Sequence, residues 1–300
     1  MEYSETIDEA KAGSPVMLRF KLKNVNVYAS TNGYTFTKIF DVENSENYEV
    51  SLTSKQFEDI DYYVRQKLES NHERFQNQMR LVSEKINISK PRLLDIGCGG
   101  GEFLIRAKRN GYLAVGLELN ANRAAYSRKR TGVAIHQKDI VKLAIDQHST
   151  YDCVTLWDVI EHVNWPLATL QGVHNVLKDG GYVFLDTPAK DSFYHQFSEV
   201  LYRVSFGKLA GFLNIMYDST PYGHKQIFST AEIVTTLKQA GFKNIEVKKF
   251  HELSFPIEHY LTKIFQNKKI VNNISPIIKH IIVQLKIVNK MYVVAKKIES

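Results

Sequence analysis

Apolar and polar positions change rhythm along the chain, and each change predicts a different element. Across residues 15–50 the two kinds alternate in short bursts: Phe20 and Leu22 stand against Lys21 and Lys23, and Asn32-Gly33 is a hairpin-turn pair just ahead of Tyr34-Thr35-Phe36-Thr37. Short strands are expected there, in a small β-rich module over residues 1–52. From 53 to 88 the spacing turns helical. Phe75, Met79, Val82 and Ile86 recur at steps of four, three and four, so one face of a helical linker over 53–90 is expected to be buried.

From Pro91 strands and helices take turns. Short apolar runs at 92–97, 113–117, 133–136, 153–157 and 182–185 read as strands, with helices at 102–109, 121–129 and 166–177 between them. Asp179-Gly180-Gly181 is the expected turn into the fifth of these strands. Ser229 and Glu232 form a capping box that opens a helix stopped by Gly241, and 245–250 is a further strand. Such alternation predicts an α/β fold, a parallel sheet covered on both faces. Its ligand belongs beyond the carboxyl ends of the strands, where strand order reverses.

The main domain is expected over 91–300, with two interruptions. Residues 190–228 are an aromatic-rich insertion, a candidate lid, with Phe193, Tyr194, Phe197, Tyr202, Phe206, Phe212, Tyr217 and Tyr222. Residues 255–288 are a basic amphipathic insertion in which Ile257, Tyr260, Leu261, Ile264 and Phe265 share one helical face. Ser275-Pro276 is expected to start a second helix there, with Ile277, Ile278, Ile281, Ile282 and Leu285 apolar and Lys279 and Lys286 polar.

Composition narrows the class. Of 300 residues, 44% are hydrophobic and 24% charged, which fits a globular protein. The two cysteines, Cys98 and Cys153, form no C-x-x-C pair, so neither a disulfide framework nor a structural zinc site is expected, and the setting expected is reducing and cytoplasmic. The opening Met-Glu-Tyr-Ser-Glu-Thr is not a basic, apolar leader, and no stretch approaches the roughly 20 apolar residues of a spanning helix. The net charge of +7 sits wholly in 242–300, which holds eleven lysines, no arginine and four glutamates. A basic amphipathic helix of this kind suits peripheral contact with an anionic membrane; the competing reading packs both helices on the domain with their lysines solvated.

The candidate chemistry begins at Asp95-x-Gly97-x-Gly99-x-Gly101, which follows a strand and opens a helix. Glycines let a ligand approach the backbone, and the helix start offers unpaired N–H groups. A dinucleotide would rest its phosphates there, but its fingerprint needs glycine at 102, where Glu102 stands. Asp95 suits a cationic or amine-bearing ligand instead. Glu118, at the end of the second strand, is placed to accept both hydroxyls of a ribose, and Asp139, after the third, to meet the exocyclic amine of an adenine.

These residues resemble motif I and its acidic partners in class I S-adenosylmethionine-dependent methyltransferases. The segment Asp158-Val159-Ile160-Glu161-His162-Val163 is similar to the signature after the fourth strand of that family, Leu177-Lys178-Asp179-Gly180-Gly181 to the turn before the fifth, and 289–297 to its closing antiparallel strand. The resemblance covers roughly residues 75–250. It implies a Rossmann-like, doubly wound sheet of seven strands, S-adenosyl-L-methionine as cofactor, and cofactor contacts from Asp95, Gly97, Cys98, Gly99, Gly101, Glu118, Leu119, Asp139, Ile140, Trp157 and Asp158.

Methyl transfer to a hydroxyl benefits from a base, and His162 and His224 are the candidates, with Glu161 placed to orient His162. His195 has no motif behind it. Small-RNA 2′-O-methyltransferases and ubiquinone-pathway O-methyltransferases carry a similar E-x-x-E-H motif that ligates magnesium. Here Asp158 replaces the first glutamate and shortens the reach. No metal ligand is therefore assigned, and a divalent cation at Asp158, Glu161, His162 and His224 stands as the alternative.

The leading expectation is O-methylation of a small molecule such as a sugar or lipid-linked precursor. The alternatives are a quinone or polyprenyl lipid at a membrane surface, and metal-assisted RNA 2′-O-methylation. Lysine without arginine is poor for base readout, which argues against a nucleic-acid partner. Oligomeric state is left open.

Overall fold

The computed structural model describes residues 5–13, 15–41, 51–217, 223–253, 256–265 and 267–298. The expectations for 42–50, Tyr222 and residue 255 lie outside the described residues, as does the side chain of Ile264.

The chain opens with a short helix, α1 (Ile7–Ala12), that the rhythm of apolar positions did not announce. Its signal is a capping box of Thr6 and Glu9. Three strands follow, β1 (Val16–Lys21), β2 (Asn26–Ser30) and β3 (Thr35–Thr37), in an antiparallel sheet whose last turn passes through Asn32-Gly33. The predicted helix is α2 (Ser54–Lys85), capped by Thr53 and Gln56. Met79, Val82 and Ile86 are buried, and Phe75 packs against the same cluster.

The alternating region is β4 (Arg92–Ile96), α3 (Glu102–Arg109), β5 (Leu113–Leu117), α4 (Ala121–Thr131), β6 (Ala134–His136), α5 (Ile140–Asp146), β7 (Tyr151–Trp157), α6 (Pro166–Val176) and β8 (Leu177–Pro188). Then come α7 (Phe193–Val204), α8 (Gly211–Met216), α9 (Thr230–Gln239), β9 (Lys243–Phe250), α10 (Ile257–Phe265), α11 (Lys268–Gln284) and β10 (Lys290–Lys296). The second sheet has seven strands in the order β6-β5-β4-β7-β8-β10-β9, with β10 antiparallel to both neighbours. Strand order reverses between β4 and β7, so the carboxyl ends of these two strands frame the expected ligand position. Leu94, Ile96, Val154 and Leu156 face one core, and Leu93, Cys153 and Phe184 face the other, as a sheet covered on both sides requires.

Two local expectations are corrected. β8 begins at Leu177, five residues before the predicted strand, because Leu177 already pairs with Tyr151 and Gly180 donates to the Lys297 carbonyl. The second helix of the basic insertion does not start at Ser275-Pro276. Asn267 caps α11 by accepting from Lys269 N and Ile270 N, and Pro276 lies inside the helix. Its missing N–H costs a bond there, but Val271 and Ile282, on either side, are held against Ile257 and Leu261 of α10.

The N-terminal strands share a core with residues of the 190–228 segment. Phe20, Val25 and Val27 pack with Leu213, Tyr217 and Ile227, and Lys21 N donates to the Tyr202 hydroxyl. Strand β3 also reaches the main chain at 225–226: Thr37 N donates to the Lys225 carbonyl, and Phe36 bridges to Gln226.

Candidate functional site

Gly97, at the end of β4, turns the chain with φ +66°, and a Cβ there would meet Val159 Cγ2 at 2.6 Å. Gly99, at φ +52°, has open space instead, with its nearest neighbour atom, Gly97 O, at 3.9 Å. Glycine is needed at the first position because the chain behind it is close, and at the second because of its backbone angle. Gly99 N donates to Glu118 Oε2 and Asn120 N to Glu118 Oε1, both at 2.9 Å, so Glu118 is locked to the glycine loop at the tip of β5. Asp95 accepts from Thr155 Oγ1 at 2.7 Å. Burial raises the Asp95 pKa to about 7, and the charge of Glu118 adds to it. Burial also raises that of Glu118 itself.

These groups open on a cavity of about 630 Å3. Asp95, Gly97, Cys98, Gly99, Glu118, Trp157, Asp158, His162 and His224 line it; Gly101, Leu119, Asp139, Ile140 and Glu161 do not. Asp139 instead caps α5, accepting from Val141 N at 2.7 Å, while Ile140 is in the core and Leu119 is 62% exposed. Trp157 packs edge-on to Phe103, and its buried indole N–H has no hydrogen-bond partner. Beyond the polar end the wall is apolar, built by Phe212, Ile215 and Met216 of α8, by Leu253, and by Ile257, Leu261 and Ile278 of α10 and α11.

S-adenosylmethionine, the cofactor implied by the resemblance, fits this polar end. Two carboxyl groups with raised pKa values favour a ligand that brings positive charge, and Gly99 leaves bare backbone for it to lie against.

A buried charge cluster at the cavity floor was missed from sequence. Arg74 of α2 contacts Asp158 at 2.7 Å, Asp186 at 3.1 Å and Glu252 at 3.1 Å. Lys290 contacts Asp158 and lies 3.3 Å from Glu252 and 3.5 Å from Asp186. Burial works against the charge of Arg74 and of Lys290, but the three carboxylates hold both pKa values above their usual range. The members come from α2, β8, β10 and two loops, so no local motif links them. The available signal was Arg74 and Gln78 falling on the buried face of α2 beside Phe75 and Met79.

Glu161, His162 and His224 also meet, with one ligand atom of each within 4.8 Å of the others. Two kinds of bond bring them together: Lys225 N donates to the Glu161 carbonyl at 2.8 Å, and the Gln226 side-chain Nε2 donates to the carbonyls of Ile160 and Val163. His162 Nδ1 lies 3.1 Å from the Gly223 carbonyl, which can only accept, so this nitrogen carries the proton. His162 Nε2 is 4.0 Å from Glu161 Oε1. Both carboxyl oxygens of Glu161 and Nδ1 of His224 are buried without a hydrogen-bond partner. Burial, then the charge of Asp158, raises the Glu161 pKa well above the carboxylate range. Burial and the charge of His162 lower that of His224 to about 3, so its ring is neutral. One carboxylate and two imidazoles are also a donor set suited to a divalent cation.

Known proteins resemble this chain in sequence and in fold. A ubiquinone biosynthesis O-methyltransferase of Pseudomonas aeruginosa is 30% identical over 111 residues, covering 35% of this chain and 48% of the relative. The protein of the same name from Colwellia psychrerythraea is 25% identical over 179 residues, covering 58% of this chain and 70% of the relative. The match thus spans about half the length of the Pseudomonas protein. A crystal structure of a SAM-dependent methyltransferase from Archaeoglobus fulgidus aligns with a TM-score of 0.53 at 19% identity, over 79% of this chain and 100% of that one, a likeness of fold. A family profile described as a methyltransferase domain matches residues 60–247, more than half of the chain. The chain belongs to this family of methyltransferase domains.

Proposed function

We propose that the chain moves a methyl group from S-adenosylmethionine to a hydroxyl oxygen of a small acceptor with a largely apolar body. The observation that carries this reading is one continuous cavity, running from Gly99 and Glu118 past His162 and His224 to the apolar wall of α8, α10 and α11. The name of the matched relatives, ubiquinone biosynthesis O-methyltransferase, supports oxygen as the accepting atom.

When bound, the cofactor supplies a methyl group on a positively charged sulfur. Glu118 holds the ribose hydroxyls with the lone pairs left after its two backbone bonds. Gly99 gives the nucleoside a bare surface, and Asp95 complements positive charge. Asp139 caps α5 and Ile140 is in the core, so neither is given a direct contact with the adenine. His162 takes the hydroxyl proton on Nε2 while the oxygen–carbon bond forms and the carbon–sulfur bond breaks. The half-buried, neutral His224 beside it, with ring centroids 5.0 Å apart, adds no competing charge. The apolar wall excludes water and aligns the acceptor.

The test is transfer of radiolabelled methyl from S-adenosylmethionine to a panel of phenols, hydroxyquinones, polyprenyl precursors, sugars and RNA. Label recovered as an ether on a phenol or hydroxyquinone is the expected outcome. Label on nitrogen, or on none of the panel, sinks the reading.

A second reading adds a divalent cation at Glu161, His162 and His224. Its support is that Glu161 Oε1 and Oε2 and His224 Nδ1 are buried without hydrogen-bond partners, and that one ligand atom of each of the three residues lies within 4.8 Å of the others. A cation there would polarise the acceptor oxygen as a Lewis acid, in place of the base. Activity that is unchanged after dialysis against a chelator, and unmoved by added Mg2+ or Mn2+, rules it out.

A further inference from the structure

The outer face of α7 is an apolar stripe with nothing packed on it among the described residues. Phe193, Phe197, Val200 and Val204 follow the helical steps of four, three and four, and each is at least 45% exposed. The rings of Phe193 and Phe197 stack on each other, 5.6 Å apart and 9° from parallel. Just beyond the helix, Phe206 is 95% exposed and Leu209 continues the patch. The inner face of the same helix is firmly held. His195 and Ser198 are buried there, and Glu199 is paired with Arg19 at 2.7 Å, so the one acid of α7 points away from the stripe. The apolar stripe of the helix thus faces solvent, while His195, Ser198 and Glu199 face the protein.

A second exposed stripe runs along α11, where Ile270, Ile277 and Ile281 recur at steps of seven and four. Its inner side packs on α10, and Tyr194 of α7 packs against that same cluster. The two helices also wall the same cavity, with Tyr194 and His195 from α7 and Ile278 from α11. Residues 256–288 carry five lysines and one glutamate, and that glutamate, Glu258, is paired with Lys279 at 2.6 Å.

We propose that the chain docks on an anionic lipid surface through the outer faces of α7 and α11, with the 205–209 loop inserted between headgroups. An apolar stripe on lysine-bearing α11, and one on α7 with the exposed Arg203 in its last turn and Lys208 beyond it, have the composition of an interfacial element, in which aromatic and aliphatic side chains enter the headgroup boundary and cationic groups meet lipid phosphate. Lipid, rather than a second copy, is the occupant because a self-association would bring two lysine-rich faces together. No helix among the described residues is long and apolar enough to cross a membrane, so the contact lies on one leaflet. Docked in this way, the cavity wall between α7 and α11 faces the bilayer, and an acceptor with an apolar tail reaches His162 without crossing water. That last step rests on the methyl-transfer reading; the docking itself does not.

The test is sedimentation of the full chain with phosphatidylcholine vesicles, with and without about one third phosphatidylglycerol. Binding is expected to the anionic vesicles alone and to weaken with added salt. The double variants Phe197→Ser/Val204→Ser and Ile277→Ser/Ile281→Ser alter exposed side chains that do not line the cavity. Each is expected to lower vesicle partitioning by about tenfold. Both should keep the wild-type melting temperature and S-adenosylhomocysteine affinity. Three results overturn the proposal: no preference for anionic vesicles, wild-type partitioning by both variants, or a dimer of the wild type that the variants convert to monomer. Because no turnover is measured, a failure of docking is distinguishable from a failure of the methyl-transfer reading.

Discussion

Glu118 joins the glycine loop and the second parallel strand through a single carboxylate that accepts from Gly99 N and Asn120 N. Glu118→Ala should weaken S-adenosylhomocysteine binding, read by calorimetry, by on the order of 1–3 kcal/mol, the value of a hydrogen bond to a charged group plus the donors it leaves unpaired. Unchanged affinity would remove Glu118 from the cofactor site. Asp95 makes a separate prediction through pH. Its folded pKa is raised from 3.8 to about 7, so ionising it costs the empty protein stability as pH rises through that window. A cationic ligand favours the ionised form. Cofactor affinity should therefore climb as pH rises towards 7, by up to about tenfold per pH unit, with a proton released on binding. Calorimetry in buffers of different ionisation enthalpy checks this; Asp95→Asn should flatten the profile, and a flat wild-type profile refutes the assignment.

Several elements are finished by residues far away in the chain. Helix α6 starts at Pro166 with no side-chain cap of its own, and Asp8 of α1 supplies one by accepting from Leu167 N and Ala168 N at 3.1 and 2.9 Å. Helix α2 is tied to the sheet in a similar way, by an arginine inserted among three carboxylates that belong to other elements. Arg74→Ala leaves Asp186, wholly buried, with Lys290 and Gln78 as its remaining side-chain partners. The expected cost is about 3–5 kcal/mol, because an ion pair broken from one side strands the opposite charge. Urea denaturation measures it, and a loss below about 1 kcal/mol would mean that the cluster is well solvated.

At the scale of the whole molecule, hydrogen bonds and packing join the N-terminal sheet, the 190–228 segment and the site. Strand β3 pairs with 225–226, Gln226 holds the carbonyls of Ile160 and Val163, and Lys11 of α1 donates to the Gln226 side chain at 2.7 Å. The relative placement of His162 and His224 thus depends on residues that contact neither. Gln226→Ala is expected to lower kcat by ten- to a hundredfold while cofactor affinity holds, since misplacement by about 1 Å has that effect on aligned reactants. Equal losses in both quantities would show general unfolding instead.

Much of this architecture was legible before the fold. The strand–helix alternation, the Ser229–Glu232 capping box and the Gly97–Gly99 turn are local, since periodicity, capping and backbone angle act within a few residues; the box and the turn appear where expected, and the alternation does so except for the early start of β8 and the unannounced α5. Pro276 misled because packing against α10 outweighs the bond it removes, and α1 was overlooked because six residues show no period. What only the tertiary structure decided is non-local. It set the union of Arg74, Asp158, Asp186, Glu252 and Lys290, the meeting of Glu161 with His224, and the outward turn of the apolar side of α7. Charges pair and apolar faces find or lack partners according to distance in space, and a linear chain does not carry those distances until the sheet has closed around them.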